Sequence, residues 1–84
     1  MRYSRTTNFD KQLRKLPPTV TDQFVKQSEL LLQDKRHPSL HFKKLQGEND
    51  VYSIRLANRY RALFILTPNN YVFFSIGHRK NIYR

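Results

Sequence analysis

No aspartate or glutamate follows Asp50, yet the same stretch carries Arg55, Arg59, Arg61, Arg79, Lys80 and Arg84. It also contains three runs rich in β-branched and aromatic residues, 51–57, 59–67 and 71–76, separated by the turn sequences Ala57-Asn58-Arg59 and Pro68-Asn69-Asn70. Short turns join these runs into an antiparallel meander. Neighbouring strands bring side chains within about 5 Å of one another, so this sheet gathers cations and has no carboxylate of its own to offset them. It must keep its charges off the packed face, and it repels itself until something anionic docks. Nucleic acid is the obvious long-lived polyanion in a cell.

Alternation assigns the faces. Tyr52, Ile54 and Leu56 point to one side of the first run, and Ser53 and Arg55 to the other. On the second run Tyr60, Ala62 and Phe64 share a face, opposite Arg59 and Arg61. Pairing across the tight turn then places Arg55 and Arg61 on a common open surface.

The first half reads differently. Residues 2–7 form an opening strand, with Thr7 or Asn8 suited to cap a helix and Asp10 placed at its positive end. Phe9, Leu13 and Leu16 recur at helical spacing until Pro17-Pro18 stops them. Pro18 starts a second helix reaching to about Lys35, with Val20, Phe24, Gln27 or Ser28 and Leu31 on one side and Leu30 and Leu32 widening that face. Two helices joined at a double proline need something broad to pack on. After His37 the pattern passes through Pro38, Leu40, Phe42 and Leu45 to a loop at Gly47-Glu48-Asn49-Asp50. The expected fold is α/β in the α+β sense: two N-terminal helices on an antiparallel sheet of three to four strands, one domain over residues 1–84.

Eighty-four residues allow a single core, and six Phe and five Tyr strengthen one that is otherwise short of apolar residues. Sixteen Lys and Arg against six Asp and Glu give a formal charge of +10, which favours phosphate backbones through counterion release. With no cysteine there is no disulfide, thiol nucleophile or thiolate metal site. No apolar run suits a signal peptide or a membrane span, so a cytosolic protein is expected.

Chemistry concentrates at the C-terminal end. The tail Gly77-His78-Arg79-Lys80-Asn81-Ile82-Tyr83-Arg84 places an imidazole, guanidiniums, an ammonium and a phenol after the last strand. With Arg55 and Arg61 it can form a concave site that grips a phosphate and assists proton transfer. His78 serves either in proton transfer or as a plain hydrogen-bonding group. Tyr83 either stacks a splayed base or anchors the tail. His37 and His41 stand at i, i+4, but Pro38 between them opposes the helix that would align them on a metal. No glycine-rich phosphate loop or serine triad is present, and no metal or cofactor is expected. Metal-free cleavage of RNA remains open, since the substrate's 2′-hydroxyl is its own nucleophile and cations can stabilise the added charge.

Taken together, Lys43-Lys44-Leu45-Gln46-Gly47, Val51-Tyr52-Ser53-Ile54-Arg55-Leu56, Tyr60-Arg61-Ala62-Leu63 and Ile76-Gly77-His78-Arg79-Lys80-Asn81-Ile82-Tyr83 resemble the RelE/ParE toxin superfamily, in order and over essentially the full chain. The resemblance implies a type II toxin that enters the ribosomal A site, cuts mRNA there to leave a 2′,3′-cyclic phosphate, and is neutralised by an acidic antitoxin. It implies that Arg61 stabilises the transition state, that Arg79 acts as general acid and that Tyr83 stacks and orients the substrate. Arg55, Arg59, Lys43, Lys44 and Lys80 are expected on RNA backbone. Ser53 and Arg55 stand where the best-known RelE member has lysines, and neither accepts a proton readily at neutral pH. Three outcomes stay open: His78 is the base, ribosomal groups supply it, or catalysis has been lost. The ParE branch, which inhibits DNA gyrase, and a non-catalytic RNA-binding module are the rival readings.

Overall fold

A computed structural model describes residues 1–47, 50–57 and 59–82. Strand β1 (Arg2–Arg5) leads into helices α1 (Thr7–Arg14) and α2 (Pro18–Gln33). A short 3-10 turn (Pro38–Leu40) and strands β2 (Lys43–Lys44), β3 (Val51–Arg55), β4 (Tyr60–Leu66) and β5 (Asn70–His78) follow, then a single helical turn, α3 (Arg79–Ile82). The strands form one sheet in the order β1-β5-β4-β3-β2.

The two helices and the antiparallel β3-β4-β5 meander match expectation, whereas strand number and sheet type do not. The sheet has five strands rather than three to four, and it is mixed because β1 runs parallel to β5. Dipeptide Lys43-Lys44 is too short and too polar to signal a strand, yet it pairs with Ser53 and Tyr52 at the opposite edge. The opening strand finds its partner at the far end of the chain, a choice made by tertiary packing rather than by local sequence.

The expected cap also shifts. Thr6, still extended and hydrogen-bonded through its N–H to the carbonyl of Phe73, turns its hydroxyl back to accept the Phe9 N–H at 3.1 Å, so Thr7 and Asn8 are already helical. Pro17 and Pro18 do what was expected: α1 ends before them and α2 begins on Pro18 without a side-chain cap.

Val20, Phe24, Gln27, Ser28 and Leu31 form the buried stripe of α2. Leu30 packs on the core, but Leu32 stays 38% exposed, so the buried face widens on one side only. The core is a chain of rings in which Phe9 meets Phe24 at 4.9 Å, Phe24 meets Phe73 at 5.0 Å, and Phe73 meets Phe64 at 5.1 Å between centroids.

The register of β4 on β5 slips once, pairing Leu63 with Ser75 and Phe64 with Phe73, which leaves Phe74 as an extra residue in β5. This bulge reverses the alternation, so Tyr71, Phe73 and Ile76 all face the core. The helix side chain Gln12 fixes the same region by accepting the Ile76 N–H at 2.9 Å. Among the described residues, no helix is long and apolar enough to cross a membrane.

Candidate functional site

Because β3 and β4 alternate, the face away from the helices carries whatever the core rejects. Ile54, Leu56, Ala62 and Phe64 are buried on the core side, as expected. On the other side Arg55 stands directly across from Arg61, and Arg61 from Gly77. One step along, Lys43, Ser53, Leu63 and Ser75 form a second row. Gly77 contributes no side chain, and a methyl group built there would meet nothing within 4 Å, so the space beside Arg61 is open.

Two clefts draw on these cations and share Arg79. The first encloses about 670 Å³ and is lined by Arg61, Arg79, Lys43, Lys44, Lys80, Ser53 and His41, together with Leu45 and Gln46. The second, about 610 Å³, is lined by Arg55, Arg59, Tyr60, His78 and Arg79. Arg79 forms a wall common to both. The expected cations therefore do gather, but they divide between two hollows, and His78 lies in the second while Arg61 lies in the first. Tyr83 and Arg84 fall outside the described residues.

Local structure explains these positions. Arg79 opens α3 where its N–H binds the Arg59 carbonyl at 2.7 Å, which anchors the end of β5 to the end of the preceding strand turn. Arg61 donates through Nη1 to the carbonyl of Tyr60 at 3.1 Å, which restrains a long side chain along the strand. His78 packs its ring edge-on to Tyr60, with centroids 5.7 Å apart, and its Nδ1 accepts the N–H of Lys80 at 3.1 Å. Gln27, only 5% exposed, donates to the carbonyls of Ser39 and Arg55 at 3.2 and 3.0 Å, tying α2 to both the 3-10 turn and the end of β3. Ser53 is 2% exposed, at the floor between β2 and β4.

Among the described residues one ion pair forms, Arg5 at the end of β1 with Asp10 of α1 at 3.1 Å, far from the residues of either cleft in the sequence. The cations of the first cleft have no described carboxylate against them. Guanidiniums offer a flat fork that matches two phosphate oxygens, and ammoniums act as point charges along a backbone. The arrangement suits a phosphodiester, and it gains most where negative charge builds up.

His41 is the residue that sequence reasoning missed. It was weighed only as a metal partner of His37, but the two rings part: His37 Nδ1 accepts the Ser39 N–H at 3.2 Å, while His41 Nε2 lies 3.4 Å from Nη1 of Arg55. Among the described residues, no group of three or more His, Cys, Asp or Glu side chains is placed to hold a metal. His41 is left-handed, at φ 45° and ψ 47°, and closes the 3-10 turn with its N–H on the Pro38 carbonyl at 3.2 Å. That backbone costs a residue with a Cβ on the order of 1–2 kcal/mol. Only the turn sequence His37-Pro38-Ser39-Leu40 hinted at such a reversal.

No family model and no curated relative matches the chain. Solved structures do. The RelB-RelE antitoxin-toxin complex of Methanococcus jannaschii aligns at a TM-score of 0.77 and 24% identity over 94% of this chain and 93% of that one. The intact E. coli RelBE toxin-antitoxin complex aligns at 0.72 and 26% identity, covering 90% and 93%. YafQ from E. coli reaches 0.81 over 98% and 97% with 11% identity, a likeness of fold alone.

Proposed function

With the chain placed by its fold in the RelE-like toxin superfamily, we propose that it is the toxin of a type II toxin–antitoxin pair and acts as a ribosome-dependent endoribonuclease on mRNA in the A site. The observation that carries this reading is the first cleft, where Arg61, Arg79, Lys43, Lys44 and Lys80 converge with no described carboxylate among them. A site made of cations needs a substrate that brings the negative charge, and cleavage by the 2′-hydroxyl adds more of it at phosphorus.

In this mechanism Arg61 holds the non-bridging oxygens and meets the charge of the transition state. Arg79 stands at the leaving 5′ oxygen; an alkoxide is more basic than a neutral guanidine, so the proton passes readily. Lys43, Lys44 and Lys80 hold the flanking backbone, and Arg55 and Arg59 extend that track into the second cleft. Tyr83 stacks on a base. His78, the imidazole singled out from the sequence, reaches this centre only across the wall formed by Arg79. Breaking the P–O5′ bond leaves a 2′,3′-cyclic phosphate and a free 5′-hydroxyl.

The same charge calls for an acidic antitoxin, in keeping with the RelB partners of the similar structures. Expression from a tight promoter, followed by mapping of message ends on ribosomes, tests the reading. New ends within A-site codons are expected. Intact messages with a loss of negative supercoiling would identify a gyrase inhibitor instead, and salt-sensitive RNA binding without either effect would identify a non-catalytic module.

A further inference from the structure

We infer that His41 is the catalytic base of this centre, taking the 2′-hydroxyl proton through Nε2; the inference rests on the ribonuclease reading above. His41 lines the cleft that holds Arg61 and Arg79, and His78 does not. The hydrogen bonds of the two rings assign them different capacities. Nδ1 of His78 already accepts the Lys80 N–H, so the other nitrogen of that neutral ring carries the proton and has no lone pair to offer. Nε2 of His41 faces a guanidinium nitrogen, which can only donate. The neutral ring of His41 therefore keeps its lone pair on Nε2 and its proton on Nδ1.

The Arg55 contact is also long, at 3.4 Å, so it orients the lone pair without holding it tightly. A phosphate that draws Arg55 toward the backbone releases Nε2 for the 2′-hydroxyl. The strained left-handed backbone at position 41 fits this role, since strain of that kind persists where a side chain must be presented in one place. Ser53 and Arg55, which cannot act as bases, leave a vacancy in the chemistry that an imidazole lining the first cleft fills.

The step balances within the substrate and the chain. Nε2 takes the 2′ proton, and the freed oxygen pair forms the bond to phosphorus. The P–O5′ bond breaks, its electron pair leaves on the 5′ oxygen, and that oxygen takes a proton from Arg79. The imidazolium of His41 returns a proton through water to Arg79, so one proton has moved from the 2′ to the 5′ oxygen and the chain is restored.

The test is single-turnover cleavage of a defined A-site codon on programmed ribosomes, followed across the imidazole titration range for the full chain and for His41→Asn. Asparagine tolerates the left-handed backbone and cannot take the proton. His41→Gly, which relaxes that backbone, repeats the measurement should the amide disturb the turn. The ionisable groups around the ring are Lys43 and Lys44 of β2, Arg55 of β3, Arg61 of β4, Arg79 and Lys80 of α3, and His37 of its own turn. Both variants should bind ribosomes as before and lose about 10²-fold or more in rate, together with the fall in rate on acidification. If the unmodified chain cleaves and the variants keep both its rate and its acid limb, or if the limb vanishes only in His78→Asn, the inference is overturned and the ribonuclease reading stands. If the unmodified chain leaves the message whole, that reading fails and takes the inference with it.

Discussion

On the helix side of the sheet, Phe9, Phe24, Phe64 and Phe73 are fully buried and touch ring to ring. On the other side the same strands present Arg55 directly across from Arg61, with Lys43 beside Ser53 at the edge. Strand β4 serves both at once: Ala62 and Phe64 vanish into the core while Arg61 lines a cleft. The difference teaches that stability and binding are assigned to opposite faces by a period of two, so a single residue position belongs to one task or the other. The Arg55–Arg61 pairing adds nothing to the fold, since like charges opposite one another destabilise a sheet.

Substitutions on the two faces should therefore separate cleanly. The largest effect is expected from Phe73→Ala, which empties the centre of the ring chain and should cost about 3–5 kcal/mol in urea unfolding. For a domain this small, that approaches the whole of its stability. Next comes Arg61→Ala, which should lower the cleavage rate about 10²–10³-fold while leaving the melting temperature level or slightly higher, because relief of the Arg55 pairing offsets the lost contact to Tyr60. A loss of stability as large as the loss of rate would break the comparison.

The smallest effect concerns Tyr71, whose phenol is pushed above the ordinary tyrosine range by burial. Below about pH 10 the phenol is neutral in both folded and unfolded chains, so it adds no slope. Above it the unfolded chain ionises first, and stability falls as the pH rises toward the folded value. Melting curves of Tyr71→Phe should show a shallower alkaline decline than those of the unmodified chain; identical curves would place the phenol in water rather than in the core.

Much of this contrast was legible in the sequence because alternation is a local property. The faces of residues 52–56 and 60–64 and the opposition of Arg55 to Arg61 followed from the spacing and a short turn. What stayed hidden depends on tertiary packing or on backbone geometry. A parallel partner for residues 2–5, a strand made of Lys43 and Lys44, and the bulge that turns Ile76 inward all require the rest of the sheet. The division of the cations into two clefts, with His78 apart from Arg61, depends on where α3 leaves β5. His41 lines the first cleft from a left-handed backbone position, and no side-chain pattern reports that.

The central claim is that the cationic face carries out phosphodiester chemistry on RNA. Purified chain incubated with ribosomes holding a defined codon in the A site, with the products resolved by mass, tests it most directly. The account predicts one cut within that codon, leaving a 2′,3′-cyclic phosphate on one fragment and a 5′-hydroxyl on the next, and a cut about 10²–10³-fold slower with Arg61→Ala. Uncut message, or fragments ending in a 5′-phosphate, would contradict it.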